Sequence, residues 1–215
     1  MRLRMELRSD SAFGRGDGIA GLVDSEVEHD ARTGLPYIKG RTVKGLLVES
    51  CADLLYALES GGNPASAEYV SSAKKLFGVP GSKLEDTGCL HIGPALLPDD
   101  LRQRVRSSTR YSPQQILEAF TTIRHQTAID ETRDTPKDGS LRATRVILRD
   151  TFFYSNISTI KPLTSSDLQL LAACAAGIKR GGLNRTRGLG WLHVELIDVV
   201  GDPLMAFINR IGGAA

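Results

Sequence analysis

Between Gly177 and Gly190 the chain carries four cations, Lys179, Arg180, Arg185 and Arg187, and no acid. The glycines among them, including Gly181 and Gly182, let backbone N–H groups approach a ligand closely, so the segment reads as a phosphate-binding surface. A solvated basic turn is the plain alternative. A nucleotide P-loop is disfavoured because no Gly-Lys-Ser/Thr ending follows. Arg102, Arg104, Arg106 and Arg110 form a second acid-free basic run, suited equally to a second phosphate contact or to an exposed helix face. Near the N-terminus, next to Arg15, Gly16-Asp17-Gly18-Ile19-Ala20-Gly21 matches a GxGxxG fingerprint. That fingerprint needs a helix opening on its third glycine, and 22–36 has no helical apolar period. A dinucleotide site is thereby excluded.

The elements that must position these residues follow from periodicity. Leu3, Met5 and Leu7 alternate with Arg4, Glu6 and Arg8, which predicts a half-buried strand over 2–9. A long loop-like stretch follows, ending in the turn-rich run from Thr33 to Gly40. Apolar residues at helical spacing from Val43 to Leu58 predict a helix capped at Thr42 and stopped by Gly61 and Gly62. Further helices are expected over 66–77, in the Pro113-interrupted stretch 101–120, and from a cap at Ser165 or Ser166 to Ile178. Strands are expected over 88–97, as one long strand or a hairpin arm over 141–157, and over 191–197. Segment 130–139 reads as a charged loop. This order suits an α+β domain with helices on one face of an antiparallel sheet.

With 41% hydrophobic and 24% charged residues in a chain of 215, one elaborated domain with a real core is expected. The opening residues are no signal peptide and no run reaches membrane-spanning length, which points to the cytoplasm and to no membrane partner. Cys51, Cys89 and Cys174 lack metal or redox spacing and read as small buried apolar residues. A net charge of +2 is too small to identify a partner, so local clusters must do so.

Two segments resemble one family. The run from Asp24 to Gly45, D-S-E-V-E-H-D-A-R-T-G-L-P-Y-I-K-G-R-T-V-K-G, is similar to the Asp-rich, Gly-x-Pro-containing segment of type III CRISPR backbone subunits. The run from Gly181 to Gly190 resembles the glycine-rich loop of the RAMP superfamily, and Leu76-Phe77-Gly78 falls at the family's apolar-Phe-Gly helix end. Lys39 stands where the family favours proline, and Arg41-Thr42 where it has small hydroxyl residues.

The resemblance implies a modified ferredoxin-like (RRM-like) domain occupying 1–215, with a thumb β-hairpin inserted at about 122–151 between arms 121–123 and 146–148. It implies that Asp24 is the catalytic aspartate, acting on target RNA with a divalent cation, Mg²⁺, held at the same carboxylate. The cut is attack of a ribose 2′-hydroxyl on the adjacent phosphodiester. His29 and Asp30 stand near, with a turn role an equal reading for Asp30. Arg15, Lys39, Arg41, Lys44 and the glycine-loop residues are expected to bind RNA, with Ile129 wedging between bases from the thumb and Arg142, Arg145 and Arg149 reaching phosphates. The implied partners are crRNA, target RNA, further copies of the chain and other type III effector subunits, in antiviral defence. A catalytically silent guide-binding scaffold and a stand-alone RAMP endoribonuclease that processes guide precursors are the alternatives.

Overall fold

The computed structural model describes residues 1–79, 81, 87–127, 129–130, 135–136 and 141–213. Its centre is a four-stranded antiparallel sheet of β1 (Arg2–Leu7), β2 (Leu90–Leu96), β7 (Phe152–Thr159) and β8 (Leu192–Ile197), in the order β2-β7-β1-β8. Helix α1 (Gly40–Ser60) and α2 (Ser66–Phe77) connect β1 to β2, and α5 (Ser165–Gly177) connects β7 to β8. Each half is a strand–helix–strand unit, and interleaving the halves makes every neighbour antiparallel. This is the ferredoxin-like α+β arrangement.

Between β2 and β7 the chain inserts α3 (Asp99–Ser107), α4 (Pro113–Phe120) and a hairpin whose arms are β3 (Thr121–Gln126) and β6 (Arg142–Ile147). The arms pair in unbroken register from Thr121 opposite Ile147 to Gln126 opposite Arg142. Beyond them, β4 (Ile129–Asp130) pairs with β5 (Thr135–Pro136). The rest of the charged tip expected up to Ser140 lies outside the described residues.

The core sits between sheet and helices. Leu3, Met5 and Leu7 of β1 are fully buried and meet Val43 and Leu47 of α1 and Leu170, Leu171 and Cys174 of α5. Helix α5 packs against α1, α2, β8 and the C-terminal helix α6 (Pro203–Gly212), so its Leu-Leu-Ala-Ala-Cys-Ala-Ala run is apolar nearly all round rather than along one stripe. All three cysteines are buried and unbridged.

Several boundaries differ from the sequence expectation. Helix α1 starts before Thr42, with Lys39 at its N-cap and no side-chain cap, because Gly40 already packs under the carbonyls of Ile92 and Gly93. The cap of α5 is Thr164, in a reciprocal box with Asp167, rather than Ser165 or Ser166. Stretch 141–157 is two strands: Asp150 turns the chain at φ 62 while its N–H donates to the Leu7 carbonyl at 2.7 Å. Pro113 begins α4 at a first-turn position behind the Ser112 capping box instead of interrupting a longer helix. The sequence reading had no α6, although Asp202-Pro203 supplies an N-cap and a first-turn proline.

Asp167 also anchors α2. Burial pushes its carboxyl upward, but hydrogen bonds from Lys75 at 2.5 Å, from the Thr164 backbone and from Ser72 outweigh this and hold it below the ordinary 3.8. A carboxylate depressed in the folded state stabilises above its unfolded value and loses that contribution as pH falls through the folded one. Equilibrium unfolding should therefore show a loss of stability below pH 3.8 that Asp167→Asn flattens. Thr164→Ala should cost about 1 kcal/mol at neutral pH through loss of the cap.

Candidate nucleic-acid interface

The segment that follows β1 builds the site. Residues 10–28 form no helix and no regular strand, yet each part is pinned by backbone bonds to something distant in sequence. Ser11 exchanges two bonds with Ile147 of β6 at 2.9 and 2.8 Å, Leu183 N–H donates to the Ala12 carbonyl at 2.8 Å, and Gly14 bridges Val27. Within it, Ile19 and Val23 close a tight turn. Gly18 is required there, since a Cβ would stand 2.3 Å from the Val23 carbonyl oxygen. No helix follows Gly21, in keeping with the exclusion of a dinucleotide site.

Asp24 lies at the root of the hairpin. Its N–H donates to the Ala143 carbonyl at 2.8 Å, and its carboxylate Oδ2 accepts the Ala143 N–H at 2.7 Å. The residue is exposed, and its carboxylate is positioned by β6. Two residues on, Glu26 is fully buried and forms an ion pair with Arg145 at 2.9 Å, while Arg145 Nη1 donates to Thr121 Oγ1 at 3.3 Å. The Arg145 N–H closes the ladder on the Ser25 carbonyl at 3.0 Å. Arg145 is therefore corrected from a phosphate contact to an internal tie: at 3% exposure its guanidinium faces Glu26, not solvent.

The glycine-rich loop is held to the same segment. Gly190 N–H donates to the Asp10 carbonyl at 2.9 Å and Gly181 N–H to the Gly190 carbonyl at 2.8 Å. Gly182 and Gly190 take φ +85 and +75, and a Cβ would lie 2.6 Å from the Ala12 oxygen at the first and 2.0 Å from the Gly181 oxygen at the second. Only glycine fits either place. The loop's cations divide into two groups. Arg185 is ion-paired to Glu49 of α1 at 3.0 Å, which raises its pKa, and Arg180 donates to the Arg185 carbonyl at 2.9 Å. The exposed side chains of Lys179 and Arg187 make no hydrogen bond or ion pair among the described residues.

The remaining candidates divide in the same way. Arg15 is engaged by Asp17 at 2.6 Å, a bond that also lowers the Asp17 pKa, and Lys39 is ion-paired to buried Glu28. Arg41 and Lys44 begin α1 without an ion pair among the described residues, and no acid stands in that first turn. Cations at a helix N-terminus oppose the helix dipole, an arrangement that an arriving anion relieves. Arg142 is exposed at the end of β6 and has no ion pair among the described residues; of Ile129 only its backbone place in β4 is described. His29 holds the Val27 carbonyl through Nδ1 at 3.0 Å. Asp30 accepts the N–H groups of Arg32 and Thr33 at 2.8 and 3.1 Å, the turn role.

Residues the sequence did not single out complete the interface. Asp10, 8% exposed, accepts Arg124 at 2.5 Å and the Arg149 N–H at 3.1 Å. Around it opens a groove of about 780 Å³ between hairpin and glycine loop, lined by Arg124, His125, Arg149 and Arg187. Arg124 carried no signal in the sequence beyond its charge, because its partner lies 114 positions away. No group of three His, Cys, Asp or Glu side chains converges to hold a metal among the described residues. Asp24, with one oxygen already occupied, does not make a Mg²⁺ site by itself.

A ferredoxin-like core with a hairpin inserted between its second and third sheet strands, facing a basic glycine loop, defines the class of the protein. The chain belongs to the RAMP superfamily, whose family model matches residues 6–193. Its fold is similar to that of a chain in the type III-B Cmr-beta complex bound to cognate target RNA, with a TM-score of 0.62 at 10% identity over 90% of this chain and 95% of that one. A chain of the apo state of type III-B Cmr-beta gives a TM-score of 0.65 at 12% identity, over 93% and 98%. A search of curated protein sequences finds no match.

Removing one partner of the buried Glu26–Arg145 pair strands the other charge. Glu26→Ala or Arg145→Ala should each lower unfolding stability by about 3–5 kcal/mol. The double change Glu26→Leu with Arg145→Met should recover most of that loss in denaturant titration, because it removes both charges and keeps the volume.

Proposed function

We propose that the chain is a backbone subunit of a type III CRISPR effector that holds guide RNA by its backbone and cuts the paired target RNA at Asp24. RAMP superfamily membership and the fold shared with chains of type III-B Cmr-beta support this reading. The observation that carries it is the docking of Asp24 on Ala143, which holds the carboxylate of an exposed residue at the root of the hairpin. A hairpin that interrupts a guide–target duplex would bring its own root to the interrupted step at every subunit. Copies stacked head to tail along a guide would then cut at regular intervals, since such a contact repeats without closing.

The division of labour follows the free and engaged charges. Lys179, Arg187, Arg41, Lys44 and Arg142, without ion pairs among the described residues, meet phosphates, while base pairing between guide and target supplies sequence specificity. At the interrupted step the ribose 2′-hydroxyl attacks the adjacent phosphorus, the bond to the 5′-oxygen breaks, and a 2′,3′-cyclic phosphate and a 5′-hydroxyl result. Asp24 accepts the proton of the attacking hydroxyl or orients it, water gives a proton to the departing 5′-oxygen, and the hydrogen bond from the Ala143 N–H keeps the carboxylate aimed. The described residues bring together too few donors to hold Mg²⁺ alone. A divalent cation serving this reaction would take most of its shell from RNA phosphates and water.

In a complex reconstituted on guide RNA, Asp24→Ala should slow target cleavage by about 10²- to 10⁴-fold and leave guide and target binding unchanged. Cleavage at the original rate would make the chain a silent scaffold. Lys179→Ala with Arg187→Ala should instead weaken guide binding and lower the slope of log affinity against log salt by about 1.4, or about 0.7 for each single-strand phosphate contact.

A further inference from the structure

Two hollows meet at the turn formed by Asp30, Arg32 and Thr33, apart from the interface described above. The first, of about 780 Å³, has an apolar floor of Leu101, Val105, Ile116 and Phe120, with Tyr111 also in its wall. The second, of about 590 Å³, is lined by Leu35, Pro36, Tyr37 and Pro94 and by His29. Asp30, Arg32, Thr33 and Arg106 line both, so the side chains of Arg32 and Arg106 stand on the saddle between them. Arg104 adds a third guanidinium to the first hollow.

These arginines are available. Arg32, Arg104 and Arg106 are exposed, and none makes a side-chain hydrogen bond or an ion pair among the described residues. Neighbouring Arg102 is engaged, by Asp99 at 2.6 Å. Asp30 is the acid at the saddle, and its Oδ1 is committed to the N–H groups of Arg32 and Thr33. Three guanidiniums against one carboxylate leave a local excess of positive charge. Tyr111 is 52% exposed, and the Arg110 guanidinium already lies over its ring at 5.2 Å, so its wall of the hollow can stack planar groups.

The site is built before any ligand arrives. Gly34, at φ +75, brings the turn so close to the start of α4 that a Cβ would lie 1.9 Å from the Pro113 carbonyl oxygen. Ser112 and Gln115 lock that helix start with a capping box. Turn and helix therefore hold the two hollows at a fixed separation.

We propose that this saddle binds one step of single-stranded RNA, with its phosphate on Arg32 and Arg106 and its two bases in the flanking hollows. Guanidinium forks match phosphate oxygens, and apolar or aromatic walls accept bases only when these are unstacked. A duplex keeps its bases inside the stack and cannot enter. The proposal goes beyond the guide–target interface: it adds a second contact for an unpaired strand, on residues that the glycine loop and hairpin do not use.

The test uses the full chain and a fluorescein-labelled oligouridylate in anisotropy titrations over a salt series. Arg32→Gln with Arg106→Gln changes exposed side chains only, and should weaken binding on the order of 10-fold and lower the salt slope by about 0.7. Lys179→Ala with Arg187→Ala, made separately, should weaken binding through the glycine loop and leave the saddle's share intact. The two proposals can thus fail independently. On the unaltered chain, 4-thiouridine RNA should crosslink to Tyr111 or Tyr37, a readout that needs no variant. Unchanged affinity and slope in the double variant, or crosslinks confined to the hairpin and glycine loop, would overturn the assignment. So would poly-glutamate binding that the double variant abolishes while oligouridylate affinity holds, which would give the saddle to an acidic protein partner.

Discussion

Asp10 is the carboxylate on which the interface depends. One oxygen takes Arg124 of β3, the other takes the Arg149 N–H beyond β6, and its main-chain carbonyl takes Gly190 of the glycine loop. Hairpin, loop and N-terminal segment therefore meet at one largely desolvated residue. A carboxylate so placed is stable only while its donors stay in reach. The three parts keep their mutual geometry for the same reason. Glu26 and Arg145 repeat the device a few residues further along and place Asp24 against Ala143.

The chain's small net charge conceals a partition of its cations. Arg15, Lys39, Arg145 and Arg185 are held by carboxylates of the chain itself, and two of those acids, Glu26 and Glu28, are buried. Lys179, Arg187, Arg41, Lys44 and Arg142 are left without such partners among the described residues. The first group sets positions and the second meets an anion, so counting basic residues overstates the contact surface.

How far the sequence could be read follows the range of the interactions. Helix α1 was legible from its apolar period, and α2 from 66–77, because those patterns are local. The hairpin arms were legible from β-branched runs at 121–123 and 146–148 that do pair. Its tip was not: β4 and β5 fall in a charged stretch without alternation. Ser165 and Thr164 are equally good caps by type, and Asp167 decides for Thr164 by its spacing. Arg145 looked like a phosphate ligand because its partner is 119 residues away, a distance at which composition carries no information. Asp10 went unnoticed for the same reason. Resemblance to a family supplied Asp24; the structure supplies its neighbours.

The unbroken register of β3 on β6 limits how the hairpin can vary between relatives. Side chains along a strand alternate sides, so slipping β6 by a single residue would swing Arg145 away from Glu26 and leave that acid buried and alone. It would also carry Ala143 out from under Asp24. Insertions and deletions are thereby confined to the stretch between Gln126 and Arg142, beyond the last pair. Hairpin length is free to drift there, while the ruler at its base stays fixed.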